Sequence, residues 1–434
     1  MIPEAVARAE TLEDIVEVVH VTASLGSTVT PAGSQTSMTG ASITDRGILL
    51  SLAGMNRVLD VDVTQRLARV EPGVTIGQLN RELTAENLMF APDPTSEQDA
   101  TIGGAIACNA SGARSLYYGA TRRHVNAVSV VHADGAVATY RRSRPEKNTV
   151  GFAAAQDPVD WFVGSEGTLG IVAQAELSLV PIPEHVVGLA IPFRDQASAL
   201  DFVVAARNGE SGRNARCLEF FDETASGIAA ESIASTWTDS ASMIYLEDDA
   251  GDASDLSEMM SAWLETAERL GALSDDIRIF DGAQALRDAR IMRHAVPATM
   301  NERGSAQIKN GGRKVSTDWA VPYARLSDAL AASKTAIERN GAPIPVTYGH
   351  AGNGHPHQNF IAYDPEELRV INASIEETLR CVIQMGGTVS AEHGLGKLKQ
   401  AWLGLQLSPR QIAIMRAMKQ TLDPTAMFSP GNVL

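Results

Sequence analysis

Cysteine is scarce in this chain: three residues in 434, Cys108, Cys217 and Cys381. They lie far apart with no CxxC pair, so neither an iron–sulfur cluster nor a disulfide framework is supported. A reducing cytoplasm is the default compartment. Positive charge is short as well, with 36 Lys and Arg against 52 Asp and Glu and a formal net charge of −16. Nucleic-acid binding, which wants a basic stripe, is disfavoured on that ground. No apolar run approaches a membrane span, and no basic stretch followed by an apolar one opens the chain. Peripheral attachment to the inner face of the membrane is the membrane association left open. GxGxxG is missing from the βα turns that can be placed, and no Walker A lysine pattern occurs.

The composition that remains is ordinary for a globular protein, 44% hydrophobic and 20% charged. The length exceeds one ordinary core, so two domains are expected. Thr11 to Asp14 is a weak capping box, and Ile15, Val18, Val19 and Leu25 follow at helical spacing up to Gly26. Strands are expected near 28–30, 48–52, 67–70, 125–132 and 137–140, the last two joined at Asp134-Gly135. A helix is expected over 75–86. Three loops stand out between these elements. The first runs Pro31-Ala32-Gly33-Ser34-Gln35-Thr36-Ser37-Met38-Thr39-Gly40. Its hydroxyls and backbone N–H groups suit phosphate. The second joins Pro94-Thr95 to Thr101-Ile102-Gly103-Gly104 and on to Asn109 and Gly112, small residues that let a ligand approach the backbone. The third is Gly164-Ser165-Glu166-Gly167-Thr168-Leu169-Gly170-Ile171. Any one of them is more simply a tight turn; three within 172 residues make that reading poor.

Pro181-Ile182-Pro183 punctuates the chain. Beyond it, strand-like pieces (186–191, 243–246, 277–280) alternate with helix-like ones (197–206, 256–270, 326–339). Asp364-Pro365 caps a helix whose Leu368, Ile371, Ile375, Leu379 and Val382 form one stripe, ended by Gly386-Gly387. Glu392 and His393 are expected on the strand that follows. Asn353-Gly354 predicts a type I′ hairpin, with Gly352 opposite His355, Ala351 opposite Pro356 and His350 opposite His357. Two imidazoles then share one face with Cβ atoms about 5 Å apart. They suit one divalent metal, with Glu392 as third ligand and His393 left over as a base. Taken alone, such a histidine pair is more often a solvated surface feature, and Pro356 weakens the register.

Together these residues resemble the flavin-dependent D-2-hydroxyacid dehydrogenases of the vanillyl-alcohol-oxidase/PCMH superfamily, over nearly the whole chain. The motifs that carry the resemblance are Thr101 to Gly104 with Asn109 and Gly112, Tyr118-Gly119 with Thr121-Arg122, Gly164 to Gly170, and His350, His357, Asn359 and Glu392-His393. The resemblance implies an α+β fold: a PCMH-type FAD-binding domain (1–183), an α+β cap or substrate domain with an antiparallel sheet (184–400), and a C-terminal segment returning to the FAD domain (401–434). It implies that Pro31, Gly33 to Ser37, and the stretch from Pro94 to Gly112 hold the FAD pyrophosphate and flank the flavin. Gly119 belongs to the same set, and Glu166 to Ile171 lie along the adenosine half. His350, His357 and Glu392 are implied as ligands of Zn or Mn, and His393 as the base. Asn359 is implied as a substrate contact, and Arg293 and Lys314 as partners of the substrate carboxylate; Arg313 could replace Lys314.

The implied reaction is oxidation of a D-2-hydroxyacid such as D-lactate, D-2-hydroxyglutarate or a glycolate-like acid, with hydride passing to flavin N5. The acceptor beyond flavin would be a quinone, an electron-transfer flavoprotein, a cytochrome or oxygen, and a homodimer is possible. No His occupies the 33–37 loop, so non-covalent FAD is expected. Two other readings are a metal-independent sugar or alcohol oxidase of the same superfamily and a non-catalytic flavin-binding subunit of an oxidase complex. The sequence departs from the family in three places. An Arg and three glycines give way to Ala32-Gly33-Ser34-Gln35. Asn353 and His355 stand where Asp and Asn are usual, so His355 could be a further ligand or a substrate contact. The chain also begins near its first helix, as a naturally short form or a misassigned start would.

Overall fold

The computed structural model describes all residues except Arg144, Thr236, Thr238 and Asp239. The chain folds as two compact units. Unit 1 comprises Met1–Gly112, Tyr118–Ile182 and Glu392–Leu434; unit 2 comprises Ala113–Tyr117 and Pro183–Ala391. The chain rejoins unit 1 at Glu392. Among the described residues, no helix is long and apolar enough to cross a membrane.

In unit 1, Ala5–Arg8, Ile48–Ser51 and Val29–Ala32 form a parallel sheet with Ile48–Ser51 in the middle. The helix Leu12–Ser24 starts at Thr11 with a complete reciprocal capping box and buries Ile15 and Val19. A second, antiparallel sheet runs in the order Val58–Asp62, Leu67–Val70, Ile171–Ser178, Val125–Val131, Val137–Arg141. The second glycine-rich stretch, expected as loop, contains a helix at Ile102–Cys108, capped by the Thr101 hydroxyl and ended by Asn109 at φ +51°. Its glycines disfavour a helix locally. Packing favours it, because Ile102 and Ile106 are fully buried and a Cβ on Gly103 would sit 2.8 Å from that of Pro72.

Unit 2 is built on one seven-stranded sheet, antiparallel throughout. The order is Arg278–Asp281, His185–Phe193, Ser242–Ala250, Cys217–Asp222, Val346–His350, His355–Ala362, Arg313–Ser316. Side chains alternate between its faces. One face packs Phe221, Met243 and Tyr245 against the helices Glu223–Ser232 and Gly282–Ser305. Gln196–Arg207 and Ala253–Arg269 lie on the other, where Phe193, Phe202 and Trp263 stack with centroids 5.8 and 6.1 Å apart. Leu326–Asn340 joins that second face, its Ser333 hydroxyl donating to Gln358 over 2.8 Å. Pro365–Gln384 starts at the Asp364 cap and buries Ile371, Ile375, Leu379 and Val382 as the stripe predicts.

Two expectations are corrected. The 353–354 turn is not a two-residue type I′ hairpin. Ala351–Asn353 forms a 3-10 turn closed by Gly354 at φ +66°, and His350 pairs with His355, Gly349 with Pro356 and Tyr348 with His357. Only Gly354 is left-handed; the longer loop is pinned by a Val321 N–H bond to the Gly354 carbonyl. The register differs by two residues, so every side chain keeps its face. Glu392 and His393, expected on a strand, lie instead in an irregular segment. Gly394 and Gly396 have positive φ there, and side chains rather than a strand ladder hold the backbone.

A Cβ at residue 354 would stand 1.9 Å from the Val321 carbonyl oxygen. Gly354→Ala is therefore expected to lower unfolding free energy by about 1–3 kcal/mol, combining the left-handed backbone with this clash. Chemical denaturation measures it, and unchanged stability would contradict the loop geometry.

Candidate functional site

The three loops singled out in the sequence converge within unit 1. A Cβ on Gly33 would stand 2.1 Å from the Thr101 hydroxyl, and one on Gly167 would stand 2.8 Å from Pro31 Cγ. Gly164 N–H donates to the Ile106 carbonyl and Glu166 N–H to that of Ala107. Ser34, Gln35, Thr36 and Thr95 are exposed. Gln35 adopts φ +56°, a conformation that favours glycine, and its amide folds back to the Ser42 carbonyl at 2.8 Å. Asn109 Oδ1 accepts the Arg122 N–H, which joins Thr121-Arg122 to the second loop. Gly112 approaches Asp93 so closely that a Cβ would lie 2.1 Å from its carbonyl oxygen. Gly119 is left-handed at φ +83°, Gly170 lies against Val130, and Ile171 is fully buried at the start of its strand. Exposed hydroxyls and backbone donors on adjoining loops fit the pyrophosphate of a dinucleotide.

Glu166 is itself left-handed, at φ +51°, and buried. Its carboxylate accepts the N–H groups of Leu395 at 2.7 Å and Gly396 at 2.8 Å. Burial pushes its pKa up, and those N–H groups pull against the rise. The Thr39 hydroxyl donates to the His393 carbonyl at 3.1 Å, and the Ser111 hydroxyl to Glu392 at 3.2 Å. His393 Nε2 lies 3.6 Å from Glu392 Oε1. The first two loops and Glu166 of the third therefore hold the Glu392–Gly396 segment inside unit 1.

Unit 2 gathers the other predicted residues. Counting in twos along each strand and straight across the register places Lys314, Asn359, His357, His355, His350, Glu219, Tyr245 and Glu247 on one face. Arg313 falls on the opposite face and is exposed. The imidazole centroids are 5.2 Å apart for His350 and His357, 5.4 Å for His350 and His355, and 4.5 Å for His355 and His357. Gly349 makes room: a Cβ there would lie 2.8 Å from His357 Cδ2. His350 Nδ1 is 2.8 Å from the buried carboxylate of Glu219. Burial raises the Glu219 pKa, but His350 and Arg293 outweigh it and hold the carboxyl below its ordinary value. A histidine with one nitrogen fixed by a carboxylate is the arrangement that metal-ligating imidazoles use, so this donor set fits a divalent ion. Asn359 donates to the Tyr348 hydroxyl at 2.8 Å, while its Oδ1 is buried without a hydrogen-bond partner. Lys314 reaches Asn301, and burial lowers its pKa.

Arg293, on Gly282–Ser305, enters the same face. Its guanidinium lies 3.5 Å from Glu247 and over the Tyr245 ring at 5.6 Å, while its Nε is buried without a hydrogen-bond partner. Glu247 also meets Arg114 at 3.1 Å and Arg216 at 3.7 Å and accepts the Tyr245 hydroxyl at 3.0 Å. Burial would raise its pKa; the three arginines bring it down to about 2. Reading the sequence missed Glu219, Glu247 and Asp318. For Glu219 and Glu247 the available signal was an acidic residue inside an apolar strand run, which must be paired to be buried; Asp318 lies outside any strand. Glu247→Gln is expected to cost about 3–5 kcal/mol, because the arginines lose their counter-charge. A carboxyl with a depressed folded pKa stabilises above its unfolded value of 4.5 and loses that contribution as pH falls toward 2. Urea titrations across this window are expected to show a smaller acid loss in the variant than in the native chain, where Glu247 adds its share to that of other depressed carboxyls such as Glu219.

Comparison with known proteins agrees with both halves of this picture. Residues 3–141 match the FAD binding domain family, and residues 182–433 match the C-terminal domain of FAD linked oxidases. A D-lactate dehydrogenase of Anaerostipes hadrus is 26% identical over 99% of this chain and 89% of its own length. A glycolate oxidase subunit GlcD of Bacillus subtilis (strain 168) is 28% identical, with the same coverages. A probable mitochondrial D-lactate dehydrogenase of Danio rerio is 30% identical over 100% of this chain and 84% of its own. Among solved structures, an alkyldihydroxyacetonephosphate synthase superposes with a TM-score of 0.72 at 18% identity, covering 98% of this chain and 76% of that one, a likeness of fold alone. With a PCMH-type FAD-binding domain followed by the matching C-terminal domain, the chain belongs to the FAD-linked oxidase family and is a flavin-dependent oxidoreductase.

Proposed function

We propose that this chain oxidises a D-2-hydroxyacid of the D-lactate, D-2-hydroxyglutarate or glycolate-like kind to the 2-oxoacid. The observation that carries the reading is the sheet face of unit 2. It brings two buried and partnerless polar atoms, Arg293 Nε and Asn359 Oδ1, to the face that bears the imidazoles. Native proteins leave few such groups unpaired, and a carboxylate and a hydroxyl are the functions that would satisfy this donor and this acceptor. When bound, FAD supplies the hydride acceptor and a divalent ion supplies a Lewis acid for the hydroxyl oxygen.

The chain's own residues do the rest. His350, His357 and Glu392 would hold the ion. Arg293 would clamp the substrate carboxylate, with Lys314 as a second cation. Asn359 would accept from the substrate and orient it. His393 would take the hydroxyl proton at an imidazole nitrogen, the general-base role that histidine most often fills. Thr39, which anchors the His393 carbonyl, limits where that ring can go. The names of the relatives support the substrate class.

His393→Ala is expected to abolish flavin reduction by substrate in anaerobic stopped-flow while leaving the bound-FAD spectrum intact. Normal reduction rates in that variant would remove His393 from the mechanism. Metal depletion by a chelator is expected to stop turnover, and added Zn or Mn to restore it. Full activity of protein shown by elemental analysis to be metal-free would sink the ligand assignment.

A further inference from the structure

The hairpin carries a third histidine that neither ligand assignment nor proton transfer uses. His355 is 4% exposed and stands directly opposite His350 in the register, two residues before His357. It therefore shares their sheet face. One ring nitrogen from each of His350, His355 and His357 lies within 4.8 Å of those of the others. His355 Nε2 also lies 3.2 Å from Oδ1 of Asp318, whose side chain is fully buried. Asp318 is itself tightly held. Its Oδ2 accepts the Ser390 hydroxyl at 2.6 Å and its carbonyl accepts the Ala391 N–H at 2.7 Å. The adjoining Thr317 is locked to Gln358 from both sides, donating its N–H at 3.1 Å and accepting through its hydroxyl at 3.0 Å.

Two of the three imidazoles thus have a buried carboxylate beside them: Glu219 in a hydrogen bond to His350, and Asp318 at 3.2 Å from His355 Nε2 as a charge contact. A carboxylate beside a ligating imidazole orients the ring and strengthens it as a donor. We propose that His355 is a metal ligand, so that the hairpin alone presents three nitrogen donors, with Asp318 as the residue that positions the third. The inference rests on the metal-dependent reading above and deepens it. Three neutral imidazoles favour a borderline ion of the zinc kind over hard oxygen-seeking ions such as Mg²⁺ or Ca²⁺.

The test uses the full-length flavoprotein loaded with zinc, and separately with Co(II) as a spectroscopic stand-in. Zinc affinity is measured by competition with a chromophoric chelator. His355→Asn, a small polar replacement, is expected to weaken zinc at least ~10-fold and to shift the Co(II) ligand-field bands, with the FAD spectrum unchanged. Asp318→Asn is expected to weaken zinc less, with the Co(II) bands closer to those of the native chain. Native zinc affinity and native Co(II) bands in His355→Asn would overturn the proposal. So would a change confined to substrate KM, which would make His355 a substrate contact. Failure of the native chain to bind zinc or Co(II) would overturn this inference and the metal reading together. Tight binding by both native and variant chains sinks this inference alone.

Discussion

In a pleated sheet, the face of every residue follows from counting in twos along its strand and straight across the register. That constraint governs unit 2. Its sheet gathers the histidines, Glu219, Glu247, Asn359 and Lys314 on the same side as Phe221, Met243 and Tyr245, while Phe193 and Phe220 lie on the other. The register observed for the hairpin differs from the expected one by two residues, an even number. Had it differed by one, the imidazoles would point toward Leu326–Asn340, whose Ser333 meets Gln358 on the opposite face.

Charges brought to a packed face need partners, because an ion removed from water without one is too costly to keep. Here the partners form a chain. Three arginines surround Glu247, Arg293 links that cluster electrostatically to Glu219, and Glu219 holds His350. The imidazoles stand at the end of this buried network, not on a mobile surface loop. The same network fixes Arg293 closely enough that one of its nitrogens is left without a partner.

Much of this was legible in the sequence, and the reasons are local. Thr11, Asp364 and the stripe from Ile371 to Val382 predict helices because caps and spacing act over a few residues. The three glycine-rich loops were visible because composition marks them. The helix at Ile102–Cys108 was not, since its glycines oppose a helix locally and only contact with Pro72 and burial of Ile102 and Ile106 favour it. The irregular segment at Glu392-His393 was missed for a similar reason: its partners, Thr39 and Glu166, are hundreds of positions away in the chain. Glu219, Glu247 and Asp318 shared that fate, because a buried acid declares itself only when its neighbours are known. Spacing gave the faces of His350, His357 and Asn359 correctly but not the loop between the strands, which depends on Val321.

The clasp between Glu166 and the 394–396 backbone reaches further than packing. A Cβ on Gly394 would stand 2.4 Å from Glu166 Oε1, and one on Gly396 would stand 2.2 Å from the Thr39 carbonyl oxygen. The glycines that follow His393 are thus shaped to residues in the first and third loops. Neither side can drift on its own: a longer side chain at 394 demands a shorter one at 166, and a shorter one at 166 releases the backbone beside His393. A substitution on either side of this contact therefore strains the other.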